Sequence, residues 1–366
     1  MFNRITSSRQ ASGRRHGRAC RFESLERRDL MAGNVTANLI GGTLYINGDN
    51  SSNSVVVSRL PNGAVEVLGK FSAGGDTRIN SQVGARPQFF GVTGNVTANM
   101  FSGNDEINFF GASPTAPLVA PYDLLVYTQD GNDVVGMTNV YAGRDMLVNT
   151  GSGVDNFTAV TATVGNNLYA LENANLHLNG YSDFVNIYGN SWIGNQLQVR
   201  LNQGNDTFKA NRTTVGSMFV DAGGGNDSIY LDNLTSRSWV SIDPGIGSDL
   251  TMVQHCSIGD DLIVSEATGA RPTTDFDRVT IFGTQVKDYL SVQGNRGRED
   301  VRIDYTAVDN LFASLGDGAD VLNIKNSTIR RSWSLSGGNG YDSLNLFGNS
   351  RTLSSSGFDY FSGMYL

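Results

Sequence analysis

Eleven aspartates stand out by their spacing: Asp105, Asp133, Asp155, Asp183, Asp206, Asp227, Asp249, Asp277, Asp300, Asp320 and Asp342. Most close a glycine-rich run such as Gly223-Gly-Gly-Asn-Asp227 and precede alternating apolar residues, as in Ser228-Ile-Tyr-Leu231. Stacked at one register, such carboxylates would stand about 4.8 Å apart. They would repel by roughly 1 kcal/mol per neighbouring pair in water, and by about 3 to 4 kcal/mol at an effective dielectric near 20. Two chemistries can hold such a row. Each carboxylate can accept turn N–H groups as an Asx-turn and lean outward, or a cation can bridge adjacent repeats through carboxylate and carbonyl oxygens, which suits Ca²⁺. The candidate calcium ligands are Asp206, Asp227, Asp249, Asp320 and Asp342, and the first three form the best run because their spacing is uninterrupted.

The successive spacings are 28, 22, 28, 23, 21, 22, 28, 23, 20 and 22, a period of about 22 with three six-residue insertions. A fixed period in this range marks units that bury their apolar faces only by stacking on their neighbours. Each unit divides into three pieces. After the aspartate comes an apolar alternation (Ile229, Leu231; Leu322, Ile324; Leu344, Leu346), then a short step ending in one apolar residue (Val164, Ile193, Val215, Ile258, Val286, Val308, Ile329). A second alternation (Leu197, Val199; Met218, Val220; Val240, Ile242; Leu290, Val292; Trp333, Leu335) runs into the next glycine turn. Three short strands and three corners make one coil, so the expected fold is all-β: a three-sided, right-handed parallel β-helix of about eleven to thirteen coils. A left-handed hexapeptide helix would need about 18 residues per coil and a uniform six-residue period, which is not seen.

The expected organisation is a basic leader over residues 1–32 and a solenoid over 33–366. Within it, 33–93 hold the N-terminal cap and first coils, 94–350 the regular coils, and 351–366 an aromatic C-terminal cap. A hairpin is expected at Pro61-Asn-Gly63, with Asn53 standing where the later aspartates stand. The insertions are assigned to Gly111–Pro121, to the region around Tyr169 to Asn175, and to Glu266–Thr274.

Charge is unevenly placed. Residues 1–30 carry eight arginines against Glu23, Glu26 and Asp29, a net of +5 that leaves −13 on the rest of a chain whose total is −8. That body offers no basic face to phosphates, so no nucleic-acid partner is expected. No apolar run reaches 18 residues, so no helical membrane span is expected. Catalytic constellations are thin as well. Asp260-Asp261 follows Gly259 as in a polygalacturonase Gly-Asp-Asp but lacks that family's companion motifs, and reads as a surface corner. His255 and Cys256 are strand neighbours facing opposite sides, with Cys256 expected in the core. Asp206, Lys209 and Arg212 are the nearest set by coil position to an acid and base pair for a polysaccharide lyase or hydrolase.

Two stretches resemble known families. Arg21-Phe-Glu-Ser-Leu-Glu-Arg-Arg-Asp-Leu-Met31 resembles the N-terminal sorting motif of planctomycete exported proteins, through Leu25, Glu26, Arg28 and Leu30. It implies export to the envelope or beyond. GGGNDSIYL from Gly223, GDGADVLNI from Gly316 and GNGYDSLNL from Gly338 resemble the calcium-binding nonapeptide of repeats-in-toxin proteins, occurring here once per coil. That implies calcium between stacked turns. The expected role is a non-enzymatic structural or adhesive element at the cell surface, meeting an extracellular polysaccharide or surface protein. The alternative is a β-helical polysaccharide lyase or glycoside hydrolase.

Overall fold

The computed structural model describes residues 33–72, 75–113, 115–159, 168–170, 173–178, 182–265, 275–349 and 355–364. Among them every regular element is a strand. One repeat shows how they are made. Asp227 opens Ser228–Asp232, whose Ile229 and Leu231 point inward; Thr235–Ser236 forms the short step, and Val240–Asp243 buries Val240 and Ile242. The period-2 alternation places one apolar row inside and one polar row outside on each strand.

Each piece pairs in parallel with its counterparts one repeat away. Ser228 lies beside Thr207 and Leu250, Thr235 beside Thr214 and Ser257, and Val240 beside Met218 and Leu262. The strands that follow the aspartates thus form one long sheet, parallel from Ser54–Arg59 to Tyr360–Met364. Most of the remaining strands form a second sheet beside it, while Phe71–Ser72 with Gly75–Asp76 and Asp317–Gly318 with Asn339–Gly340 make two separate pairs. Long parallel sheets joined at this period are consistent with a β-solenoid. The core is the continuous column of inward rows, and the apolar residues expected there are at most 8% exposed wherever they fall among the described residues. Val164 lies outside them.

The corners have their own rule. Six residues after Asp133, Asp206, Asp227, Asp249 and Asp320 stand Asn139, Arg212, Asn233, His255 and Asn326, all in the left-handed region with φ between 49° and 54°. Asparagine and glycine take this conformation readily, whereas Arg212 and His255 hold it at a cost of about 1–2 kcal/mol each. A second constraint falls two residues before the aspartate. Gly225 has φ 133°, and a Cβ there would collide with the carbonyl oxygen of Gly204 in the coil below.

Towards the N-terminus, parallel stacking gives way to antiparallel pairing. Ser54–Arg59 turns through Pro61-Asn-Gly63 into Val65–Gly69 as expected, and Gln88–Phe89 pairs on the far side. At the other end, Ser355–Ser356 and Tyr360–Met364 continue both sheets by another level, and Phe358 packs against the core.

Two insertions are placed differently from expectation. Tyr169 to Asn175 fall on Leu168–Ala170 and Asn173–Leu178, strands in register with Val140–Ala142 and Met146–Gly151. The extra length between Asp155 and Asp183 therefore falls before Leu168, within 160–167, outside the described residues. The Gly111–Pro121 insertion is longer than the structure allows: 111–117 lie between Glu106–Phe110 and Leu118–Ala120, and Leu118–Ala120 is itself a strand in register with Val140–Ala142. Glu266–Thr274 is outside the described residues.

Replacing Gly225 by alanine combines a left-handed backbone with a collision against main chain, and is expected to cost about 3 kcal/mol. Gly63→Ala, in open space at φ 86°, should cost about 1 kcal/mol. Urea unfolding of the two variants measures the difference.

Candidate functional site

The aspartates do come together, in a column that faces inward. Asp105, Asp133, Asp155, Asp183, Asp206, Asp227, Asp249, Asp277, Asp320 and Asp342 are each at most 4% exposed. The Oδ1 of each accepts the backbone N–H of the column residue one coil below: Asp206 N–H to Asp227 at 2.7 Å, Asp227 N–H to Asp249 at 2.7 Å, Asp320 N–H to Asp342 at 2.9 Å. At the base, Asn53 donates its N–H to Asp105 at 2.7 Å, so it holds the register position expected for it. At the top, Asp342 donates to Asp359.

The expectation that the carboxylates lean outward in Asx-turns is not met. Where the residue before the aspartate is asparagine, its side chain bonds from outside, in the opposite direction: Asn205 Oδ1 accepts the N–H of Asn226, and Asn226 Oδ1 accepts that of Ser248, at 2.7 and 2.8 Å. In the coils that carry it, such as Asn205-Asp206 and Asn226-Asp227, the Asn-Asp pair thus ties the coil to both neighbours.

Asp300 is not in the column. In the strand Arg298–Asp304, Glu299 pairs with Asp277, and its N–H goes to Asp320 Oδ1 at 2.9 Å. Asp300 instead pairs with Arg278, between the guanidinium groups of Arg278 and Arg302 at 3.9 and 3.6 Å. With Glu299 as the mark, the two irregular spacings of 23 and 20 become 22 and 21.

Inside the column the electrostatics are unusual. Burial pushes the carboxyls of Asp105, Asp155, Asp183, Asp206 and Asp227 up to about 7, against the stabilising pull of the hydrogen bonds they accept. A neighbouring carboxylate pushes the first four the same way. Asp133, Asp320 and Asp342 are raised as well, again mainly by burial. The second oxygen, Oδ2, of Asp105, Asp183, Asp206, Asp227 and Asp342 is buried and accepts no hydrogen bond from the described residues.

Of the candidate calcium ligands, Asp206, Asp227 and Asp249 are consecutive in the column, and Asp320 and Asp342 are consecutive higher up. The acid and base set fares differently. Asp206 faces the interior, Lys209 is exposed on the outer face of Thr207–Asn211, and Arg212 stands at the corner, so the three do not converge. Asp260 and Asp261 gain a partner that sequence spacing did not reveal. Asp288, one coil on, brings a carboxylate oxygen within 4.8 Å of theirs, the one such group of metal-binding side chains among the described residues. Asp261 also accepts the N–H of Tyr289, and Asp288 accepts from Asn310 Nδ2 at 2.8 Å. Cys256 fills the core as expected, its thiol pushed by burial up to about 12, while His255 faces out to Asp232 at 3.1 Å.

The raised carboxyls set the direction of a pH effect. They release protons near 7 in the folded chain but near 3.8 when unfolded, so the folded state holds more protons in between. The stability they contribute is fully present below about pH 3.8 and is lost as pH rises through about 7. Urea midpoints should therefore fall between pH 5 and pH 8. Asp227→Asn should shrink that fall, and Asp227→Ala, which strips the Asp206 N–H of its acceptor, should cost about 2 kcal/mol at pH 5. A midpoint independent of pH would mean that the column ionises as ordinary carboxylates do.

Compared with known protein families, with curated proteins and with solved structures, the chain matches none of them, and its role must be read from the column and the outer faces themselves.

Proposed function

We propose that the chain is an exported, right-handed β-solenoid of about eleven to thirteen coils that serves as a structural or adhesive element at the cell surface. The observation that carries this reading is how the recurrent motif is used. Its glycine, asparagine and aspartate all join coil to coil, and the side chains between them fill the core. A repeat whose invariant chemistry is devoted to stacking makes a scaffold, and its partners meet the outside. The sorting-motif resemblance, which lies outside the described residues, supplies the export half of the proposal.

Calcium belongs to the same proposal. The buried Oδ2 atoms of Asp206, Asp227 and Asp342 leave oxygens that a cation could use, and neutralising adjacent carboxylates would relieve their repulsion. Ca²⁺ takes six to eight oxygens, so turn carbonyls would have to complete any site built on Asp206, Asp227, Asp249, Asp320 and Asp342. Protons and calcium compete for the same atoms, which makes pH 8 the condition to test.

Thermal unfolding followed by circular dichroism at pH 8, with EDTA or with millimolar Ca²⁺, should show the midpoint higher with calcium. An unchanged midpoint would leave the aspartates as coil clamps only. In parallel, the chain should be retained by immobilised extracellular polysaccharide without releasing unsaturated or reducing ends. Release of such ends would overturn the scaffold reading in favour of a lyase or hydrolase.

A further inference from the structure

Outer positions are free of the stacking constraint and can vary from coil to coil. Above the second sheet the rows are mixed: Ser241, Ile263, Ser291, Phe312 and Ser334 stand in one, and Ser265, Gln293 and Ser314 in another. Above the first sheet, planar, amide and cationic side chains form two shallow cavities of similar composition. One, of about 360 Å³, is lined by Asn186, Tyr188, Lys209, Asn211, Tyr230 and Asp232. The other, of about 550 Å³, is lined by Arg302, Asp304, Asn323, Lys325, Asn345 and Phe347, with Ser362 at its edge.

The two lie on neighbouring outer rows of one sheet. Lys209 on Thr207–Asn211 stands in the row of Tyr230, Arg302 and Asn323, and Lys325 on Val321–Lys325, five strands further along, in the adjacent row of Asn211, Asp232 and Asp304. At about 4.8 Å per strand the cavities are roughly 24 Å apart along the stacking direction. In each, an ammonium group stands over aromatic faces. Lys209 Nζ is 5.5 Å from the Phe184 ring and 5.3 Å from that of Tyr230, and Lys325 Nζ is 5.8 Å from that of Phe347. Neither lysine makes an ion pair among the described residues, although the body is strongly acidic. Amide groups stand beside each lysine in preset positions: Asn211 Nδ2 donates to Asp232 at 2.7 Å, and Asn345 donates to Asn323 at 3.0 Å while accepting from Ser362.

Resting on the reading of the chain as a surface element that meets polysaccharide, we propose that this face binds an extended polysaccharide of carboxylate-bearing sugars, laid along the stacking direction across both cavities. The aromatic rings offer flat apolar faces for pyranose rings, the asparagines pair with hydroxyls, and Lys209, Arg302 and Lys325 take the carboxylates. The carboxylates that share these cavities do not cancel the cations: Asp232 is engaged by Asn211 and His255, and Arg302 and Lys325 outnumber Asp304, so a carboxylate chain is favoured here on a body of negative net charge. One pyranose unit is close in length to one strand spacing, so a straight chain can present a repeating group to successive coils.

The test is affinity electrophoresis of the full chain through gels containing polygalacturonate, alginate or neutral dextran. The native protein is expected to be retarded by the two uronate polymers and not by dextran, with retardation weakening between 50 and 300 mM salt. The double variant Lys209→Ala/Lys325→Ala and the single variant Tyr230→Ala should each lose at least about tenfold in affinity for the uronate polymers. Gln293→Ala on the second sheet should behave as the native chain, and unchanged circular dichroism shows that each variant is folded. Uronate retention that ignores the lysine and tyrosine variants would overturn this site while leaving the surface-element reading in place. Equal retention by dextran would overturn the carboxylate assignment, and retention by none of the polymers would overturn both the site and the polysaccharide partner.

Discussion

Everything in the structure depends on one hydrogen bond repeated up the stack, from the backbone N–H of a column residue to Oδ1 of the aspartate one coil above. It exists because the glycine turn bends the chain away from the parallel ladder just before the strand begins. A buried N–H left without an acceptor there would cost about 1–3 kcal/mol at every coil. The carboxyl supplies the acceptor from the interior, and the preceding asparagine supplies another from outside in the reverse sense. Burying a carboxylate for this purpose would ordinarily be prohibitive. The column meets that cost by keeping its protons to about pH 7 in the coils from Asp155 to Asp227, so that it need not carry a full charge on every level.

That bond also fixes register. A slip of one residue in a strand would turn its apolar row outward and its polar row inward, and in a stack the error would pass to the next coil. At Glu299 the side chain is one methylene longer, and the adjacent Asp300 could have taken its place. The backbone still chooses Glu299. Only that choice puts Val301 and Ile303 in the core, and it leaves Asp300 between Arg278 and Arg302. Apolar packing decides the register, and the acid column follows it.

The same ranking explains what was legible beforehand. The inward rows, such as Ile229, Leu231, Val240 and Ile242, could be read because a period of two is imposed by the strand itself. Asn53 could be read as the first rung because the residues after it alternate in the same phase. Counting acids went astray at Asp300, where two acids are adjacent and only the downstream Val301 and Ile303 tell them apart. Spacing misplaces Tyr169 to Asn175, and Leu118 to Ala120 in the first insertion, because it locates extra length in a coil without saying which part of the coil holds it. The left-handed corners carried a visible signal in Asn139, Asn233 and Asn326, diluted by Arg212 and His255 at equivalent positions. The direction in which the aspartates point was not legible at all, since an Asx-turn and a rung to the next coil begin from the same Gly-x-Asp.

An interior committed in this way leaves the outer rows as the place where the coils can differ without harm. There the chain is not uniform: serines alternate with Ile263, Phe312 and Gln293 over the second sheet, and aromatic, amide and basic residues form two cavities over the first. Strand spacing then converts a local composition into a linear one, because equivalent outer positions stand one above another at a fixed interval. Lys209 and Lys325 need no contact with each other to act on one ligand. They need only a ligand long enough to reach both, and the rigidity that the buried column gives to the coils between them keeps that distance constant.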